Sequence, residues 1–323
     1  MKAILFDRPG EPDVLRYGDA TDPQPGADEL LVRVHATAVN RADLLQRRGG
    51  YAPPLGASPI LGLELAGEVV QPATGWRTGD RVMAVVTGGG YAELAAVPAG
   101  MAMRIPARYS YEEAAAIPEA FLTAYLNLFT LGRLQAGEVA LIHAGASGVG
   151  TAAIQLVRAT GARAIATAGA EEKLALCRDL GADPALNYKS ESFAERVQEV
   201  TGGRGADVVL DFVGAPYWDS NMAALALGGR LMLIGFLGGS RGQLDLGALM
   251  GKSLTVASTT LRRTALPQKI ALTQAFADFA LARFERGELR PVIDRVLSIT
   301  QAAEAHRVLE SNSNAGKVVL VVS

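Results

Sequence analysis

The 323-residue sequence is short of cysteine and histidine, has no long apolar run, and carries no excess of charge of one sign. A lone thiol, Cys177, cannot close an internal disulfide, which excludes a disulfide scaffold and suits a reducing, cytoplasmic setting. It falls in a helical pattern from Glu172 to Leu180, where a thiol serves as a small buried hydrophobe. The same scarcity removes the usual zinc donors. A four-cysteine structural site is impossible, and the three histidines, His35, His143 and His306, form no spaced pair. No stretch reaches the ~20 uninterrupted apolar residues of a membrane span. The N-terminal run meets Asp7 and Pro9-Gly10 too early to read as a signal peptide. With 31 basic and 33 acidic residues, there is no electrostatic reason to expect nucleic acid or a membrane surface as a partner.

What is present is a soluble-protein composition, 49% hydrophobic and 20% charged, on a chain long enough for two domains. The first third alternates in short runs, such as Leu30 to His35 and Gly67 to Val70, punctuated by Pro, Gly and Asp, which predicts a small closed β domain. From about Pro118 strands alternate with helical stretches, the pattern of βαβ units and a parallel sheet. Six strands are expected: Val139 to His143, Arg163 to Thr167, Ala185 to Asn187, Asp207 to Phe212, Arg230 to Ile234 and Leu254 to Ala257. Six in a row suffice for a doubly wound sheet. Beyond Pro267 come a helix to Arg286, a strand near Val292, a helix from Thr300 to Glu310 and a terminal strand from Val318 to Val322.

The strongest chemical motif is His143-Ala144-Gly145-Ala146-Ser147-Gly148-Val149-Gly150, between an apolar strand and an amphipathic stretch. A glycine-rich turn at a strand-to-helix junction turns backbone N–H groups and a helix N-terminus toward a pyrophosphate. Gly145 and Gly150 fill the first and third glycines of the dinucleotide fingerprint, and Ser147 replaces the second. An NAD site carries an acid at the end of the second strand. Here that strand ends in Ala168-Gly169-Ala170, while Glu171 and Glu172 open the next helix. Small residues leave room for a 2′-phosphate and Lys173 can neutralise it, so the cofactor is expected to be NADPH.

The stretch from Asn40-Arg41-Ala42-Asp43 through Gly49-Gly50-Tyr51 to Gly62-Leu63-Glu64 resembles the zinc-independent quinone oxidoreductases of the medium-chain dehydrogenase/reductase superfamily. Ile117-Pro118-Glu119-Ala120-Phe121-Leu122-Thr123-Ala124, the serine-containing turn and Leu186-Asn187-Tyr188-Lys189 extend the match, which is nearest to the tumour-suppressor-inducible subgroup. The resemblance implies an α/β fold with a discontinuous GroES-like β-rich catalytic domain (1–117 and 259–323) and a doubly wound six-stranded parallel Rossmann domain (118–258). It implies Asn40 and Thr123 at the nicotinamide, Lys173 and Tyr188 at the 2′-phosphate, and Gly169 beneath the adenine ribose. Gly235, Phe236 and Leu237 flank the carboxamide, and Tyr51 and Ser147 form the catalytic pair. Zinc ligands of metal-dependent relatives fall at about Asn40, Leu63 and Glu119, of which only Glu119 could bind a metal. A homodimer pairing the Leu254 to Ala257 edge is expected, with a small-molecule quinone as substrate. The rival readings are an enone double-bond reductase on the same scaffold and, from another class, a non-catalytic crystallin-like or RNA-binding protein.

Overall fold

A computed structural model describes residues 1–322. In chain order the strands are β1 (Lys2–Leu5), β2 (Arg16–Asp19), β3 (Glu29–Ala38), β4 (Glu64–Gln71), β5 (Arg81–Val85), β6 (Leu94–Pro98), β7 (Ala102–Arg104), β8 (Val139–Ile142), β9 (Arg163–Ala168), β10 (Ala182–Asn187), β11 (Ala206–Asp211), β12 (Leu225–Leu233), β13 (Thr255–Ser258), β14 (Ile293–Ser298) and β15 (Lys317–Val321). The chain divides into two compact units: Met1–Leu122 with the chain from Leu261 onward, and Thr123–Thr260.

The first unit is built on a mostly antiparallel sheet in the order β14-β15-β3-β4-β5-β7, with β6 also on β3. Alternation explains β3: Leu30, Val32 and Val34 are buried while Arg33 between them faces out. Each such side chain contributes roughly 1.5–3 kcal/mol by leaving water. The C-terminal strand β15 lies antiparallel to β3, with Val319 opposite Ala38, so the tail completes the sheet begun by the first third.

The second unit carries six strands, all parallel, in the order β10-β9-β8-β11-β12-β13. Strand order reverses between β8 and β11, and in such sheets a ligand crevice opens outside the strand carboxyl ends at that point. Every residue of β8 is buried, which is why Val139-Ala140-Leu141-Ile142 is uniformly apolar rather than alternating. Leu141, Ile165, Val209 and Leu231 form one core with Phe193, Val197, Trp218 and Met222. β12 begins at Leu225, five residues before the expected Arg230, because Leu225 pairs with Ala206 and the register then shifts across Gly228-Gly229. β10 likewise begins at Ala182, with a shift before Ala185.

One helical stretch, Tyr111–Leu131, has the length and hydropathy of a membrane span, but 67% of its most apolar window is buried inside the protein, as in a core helix.

Candidate functional site

In the second unit the turn after β8 is held by Gly145 N–H donating to Thr167 O at 2.8 Å and Ser147 N–H donating to Ala144 O at 2.8 Å. Ala144 takes a left-handed φ of 46° to make the bend. A Cβ on Gly145 would lie 2.8 Å from Ala166 Cβ and 2.9 Å from Cys177 Sγ, and one on Gly150 only 2.3 Å from Ala144 O. Both glycines are therefore required by packing under and behind the turn. The buried Cys177, whose thiol is pushed up to about 12 by burial, is part of that floor.

Ser147 is the N-cap of the helix Gly148–Ala159, its Oγ accepting from Gly150 N–H at 3.0 Å. The hydroxyl proton stays free to be donated. The first helical N–H groups, at Gly148 and Val149, have no carbonyl one turn earlier and carry the positive end of the helix dipole. This is a cradle for an anion.

Gly169 lies just past β9, and a Cβ there would meet Tyr188 Oη at 2.6 Å and Lys189 Cε at 3.0 Å. Tyr188 is 44% exposed and Lys173 stands in the first turn of the helix Glu171–Leu180. Glu171 pairs with Arg178 on that helix instead of guarding the strand end. Beyond β12, Leu237 N–H donates to Phe212 O and Gly238 N–H to Val213 O, each at 2.9 Å, tying the segment after Gly235 to the turn after β11. Phe236 and Leu237 are more than half exposed, at 54% and 55%. Thr123 gives its carbonyl to Asn127 Nδ2 at 2.9 Å.

Beneath these turns a chain of buried polar groups links β9 to β11. His143 Nδ1 lies 3.0 Å from Thr167 Oγ1 and its Nε2 2.8 Å from Asn221 Oδ1. Asn221 Nδ2 donates to Asp211 at 3.1 Å, and Asp211 accepts from Val213 and Gly214 N–H. Because the Asn221 oxygen faces His143, Nε2 of the ring carries the proton. Burial holds His143 below its ordinary value, so it stays a neutral structural group.

In the first unit the expected Asn40 is gripped from both sides. Its Nδ2 donates to Glu64 Oε1 at 2.8 Å and Ala38 O at 3.2 Å, while Oδ1 accepts from Lys317 Nζ at 2.6 Å. Both amide protons are spent, so Asn40 can offer a ligand only the second lone pair of Oδ1. Lys317 and Glu64 form a buried ion pair at 2.7 Å. Glu119 N–H donates to Glu64 Oε2 at 2.8 Å. The Glu119 carboxyl is pushed up to about 8, first by burial and then by Glu64. Asp43, accepting from Asn40 and Gly62 N–H, is pushed up to about 6 by burial.

The Tyr51 ring lies under two cations, with Arg262 5.3 Å and Arg263 6.0 Å from its centroid. Burial, and then the Glu119 charge, hold its phenol above the ordinary value, so it is a neutral hydrogen-bond donor at neutral pH.

This arrangement does not fit a catalytic zinc. Asn40 and Leu63 supply no anionic or imidazole donor, and an ammonium sits 2.6 Å from Asn40 Oδ1. Among the described residues no group of three or more His, Cys, Asp or Glu side chains is placed to hold a metal.

Glu64, Lys317 and Arg262 were not singled out from the sequence. The available signals were the acid inside Leu61-Gly62-Leu63-Glu64-Leu65-Ala66 and the lysine heading an otherwise apolar terminal strand. A charge embedded in a buried pattern is costly unless partnered.

Comparison with known proteins is consistent with this architecture. Residues 26–107 match the alcohol dehydrogenase GroES-like domain, and residues 148–276 match the family described as zinc-binding dehydrogenase. A quinone oxidoreductase of Pseudomonas aeruginosa is 36% identical, the match covering 99% of each chain. The crystal structure of Escherichia coli quinone oxidoreductase complexed with NADPH superposes with a TM-score of 0.88 at 30% identity, over 99% of this chain and 100% of that one. The CurK enoyl reductase superposes with a TM-score of 0.89 at 26% identity, over 100% of this chain and 99% of that one. The chain is therefore an oxidoreductase that belongs to the quinone oxidoreductase family of the medium-chain dehydrogenase/reductases.

Proposed function

We propose that this protein reduces quinones with NADPH and without a metal or flavin. The observation that carries the reading is the combination of a complete nucleotide cradle at Gly145 to Gly150 with a polar cluster around Asn40 that lacks a metal's donor set. NADPH fits the cradle because the space a Cβ would need at Gly145 and Gly150 is already filled from behind, leaving the backbone N–H groups as the ligand face. When bound, it supplies two electrons and a proton as hydride.

The chain's own residues bind, orient and polarise. Gly148 and Val149 N–H hold the pyrophosphate, Gly169 lets the ribose approach, and Lys173 and Tyr188 hold the 2′-phosphate. Thr123, Asn40 and the Gly235-Phe236-Leu237 segment orient the nicotinamide, with Asn40 acting as an acceptor for the carboxamide N–H. Tyr51 donates a hydrogen bond to the acceptor's carbonyl oxygen as charge develops there, and the Ser147 O–H donates a hydrogen bond to the same group or to the nicotinamide. In this reading the Thr123–Thr260 unit binds the dinucleotide and the other unit is catalytic. A quinone becomes aromatic on reduction, so it needs no Lewis acid, and orientation with water excluded is enough.

The cytoplasmic setting and a homodimer belong to the same proposal. β13 is the outer strand of its sheet, with Val256 37% exposed, and an open edge of this kind invites pairing with a second copy. The likeness to the CurK enoyl reductase supports one alternative, transfer to the carbon–carbon double bond of an enone. NADPH oxidation measured side by side with 1,4-benzoquinone, 9,10-phenanthrenequinone and a simple enone decides between them. Quinone turnover well above enone turnover is expected, and the reverse order would overturn the proposal.

A further inference from the structure

Arg262 lies in the short turn Leu261–Arg263 and is only 5% exposed. Its Nε donates to Thr87 O at 2.8 Å, and Nη1 reaches Tyr51 O only at 3.5 Å. Nη2 is buried and has no hydrogen-bond partner among the described residues. The other buried side-chain atoms in that condition among the described residues, Gln46 Oε1 and Trp218 Nε1, are neutral, so among the described residues Arg262 alone combines burial, charge and an unused donor group.

An unanswered guanidinium N–H₂ is costly to bury, because a charged donor loses its water, and the Tyr51 ring 5.3 Å from the guanidinium carbon returns only part of that. A fold retains one where a ligand supplies the acceptor. Its guanidinium carbon lies 5.3 Å from the Tyr51 ring centroid, and Asp43, Glu119 and the cation of Lys269 act on it electrostatically. Neither Asp43, which accepts from two backbone N–H groups, nor Glu119 has moved in to pair with it.

We propose that Nη2 of Arg262 is the catalytic group that receives the acceptor oxygen on which negative charge accumulates. This rests on the quinone reading above. The reaction consumes one quinone, one NADPH and one proton and yields hydroquinone and NADP⁺. Addition of hydride leaves one hydroquinone oxygen anionic until a solvent proton reaches it, and that aryloxide is the species a fixed cation stabilises. Arginine suits the task because it stays protonated and so acts as an electrostatic anchor.

The test compares Arg262→Gln and Arg262→Lys with the unaltered protein over 1,4-benzoquinones bearing electron-donating or electron-withdrawing substituents. The glutamine variant is expected to lose about 100-fold in kcat/KM, with the loss growing as the hydroquinone oxygen becomes more basic. The lysine variant, which keeps the charge, recovers part of it.

A second readout needs no turnover. 4-Nitrophenol titrated into cofactor-free protein reports its own ionisation by absorbance; its pKa is expected to fall on binding to the unaltered protein and not on binding to the glutamine variant. A glutamine variant indistinguishable from the unaltered protein, or an equal loss across the quinone series with unchanged nitrophenol ionisation, overturns the proposal. If the glutamine variant fails to fold, the unaltered protein decides: aryloxide bound no better than neutral phenol overturns it. If no quinone is turned over while nitrophenolate binding still depends on Arg262, the oxyanion site stands and the quinone reading falls.

Discussion

At the scale of single residues, Ser147 has two jobs that experiment can separate. As the N-cap it satisfies Gly150 N–H, so Ser147→Ala lowers the unfolding free energy by about 1 kcal/mol in urea titration. As a hydrogen-bond donor in turnover, its loss lowers quinone kcat/KM about 10-fold; a stability loss with an unchanged rate would leave it a cap alone. Glu119 gives a pH signature. Its carboxyl is held at about 8 against an ordinary 4.5, so the folded protein binds more protons than the unfolded chain between those values. Stability therefore falls as pH rises through that window. The Tm gain of Glu119→Gln over the unaltered protein is expected to grow from pH 4.5 to 8 and then level off, whereas a pH-independent difference would contradict it. His306, pushed down to about 3 from 6.5 by burial and then by Arg47, acts with the opposite sign, costing stability as pH falls from 6.5. Tyr51 was singled out only through the resemblance, whereas the glycine turn with Ser147 could be read from a local motif. Lys317 and Glu64 could not, because they are 253 positions apart and meet only when β15 returns to β3, beside β4.

At the scale of elements, the turn after β8 is the best-specified piece of the chain. Gly150→Ala would put a Cβ 2.3 Å from Ala144 O and 2.7 Å from Gly145 O, both backbone atoms that cannot move aside. The turn must open, costing about 1–3 kcal/mol. Loss of NADPH binding, followed by nicotinamide fluorescence, is the expected result, and an unchanged Kd would show that the turn is not the cradle. Uniform apolarity marked β8 in the sequence, and the helix expected beyond Pro267 to Arg286 runs from Leu266 to Glu285. The start of β12 was hidden because Gly228-Gly229 reads as a break, yet in the sheet those glycines form a bulge that lets pairing resume at Arg230. Local patterning reports burial well and reports register poorly.

At the scale of the whole molecule, two statements can be tested. The open edge at β13 predicts a homodimer: sedimentation should give twice the chain mass for the unaltered protein and a shift toward monomer for Val256→Lys, and a concentration-independent monomer in both would refute it. The division into a β-rich unit and a doubly wound unit was legible from the change of texture near Pro118. The closing of the terminal strand onto β3 was legible only through resemblance, since no local pattern says which sheet a lone apolar strand will join. The central claim is that electrons pass from NADPH to a quinone without a metal ion's help. The most direct measurement is zinc content by mass spectrometry on purified, active protein, paired with quinone-dependent NADPH oxidation before and after exhaustive chelation. The account predicts far less than one zinc per chain and an unchanged rate. One zinc per chain, with turnover lost on its removal and regained on its return, would contradict it.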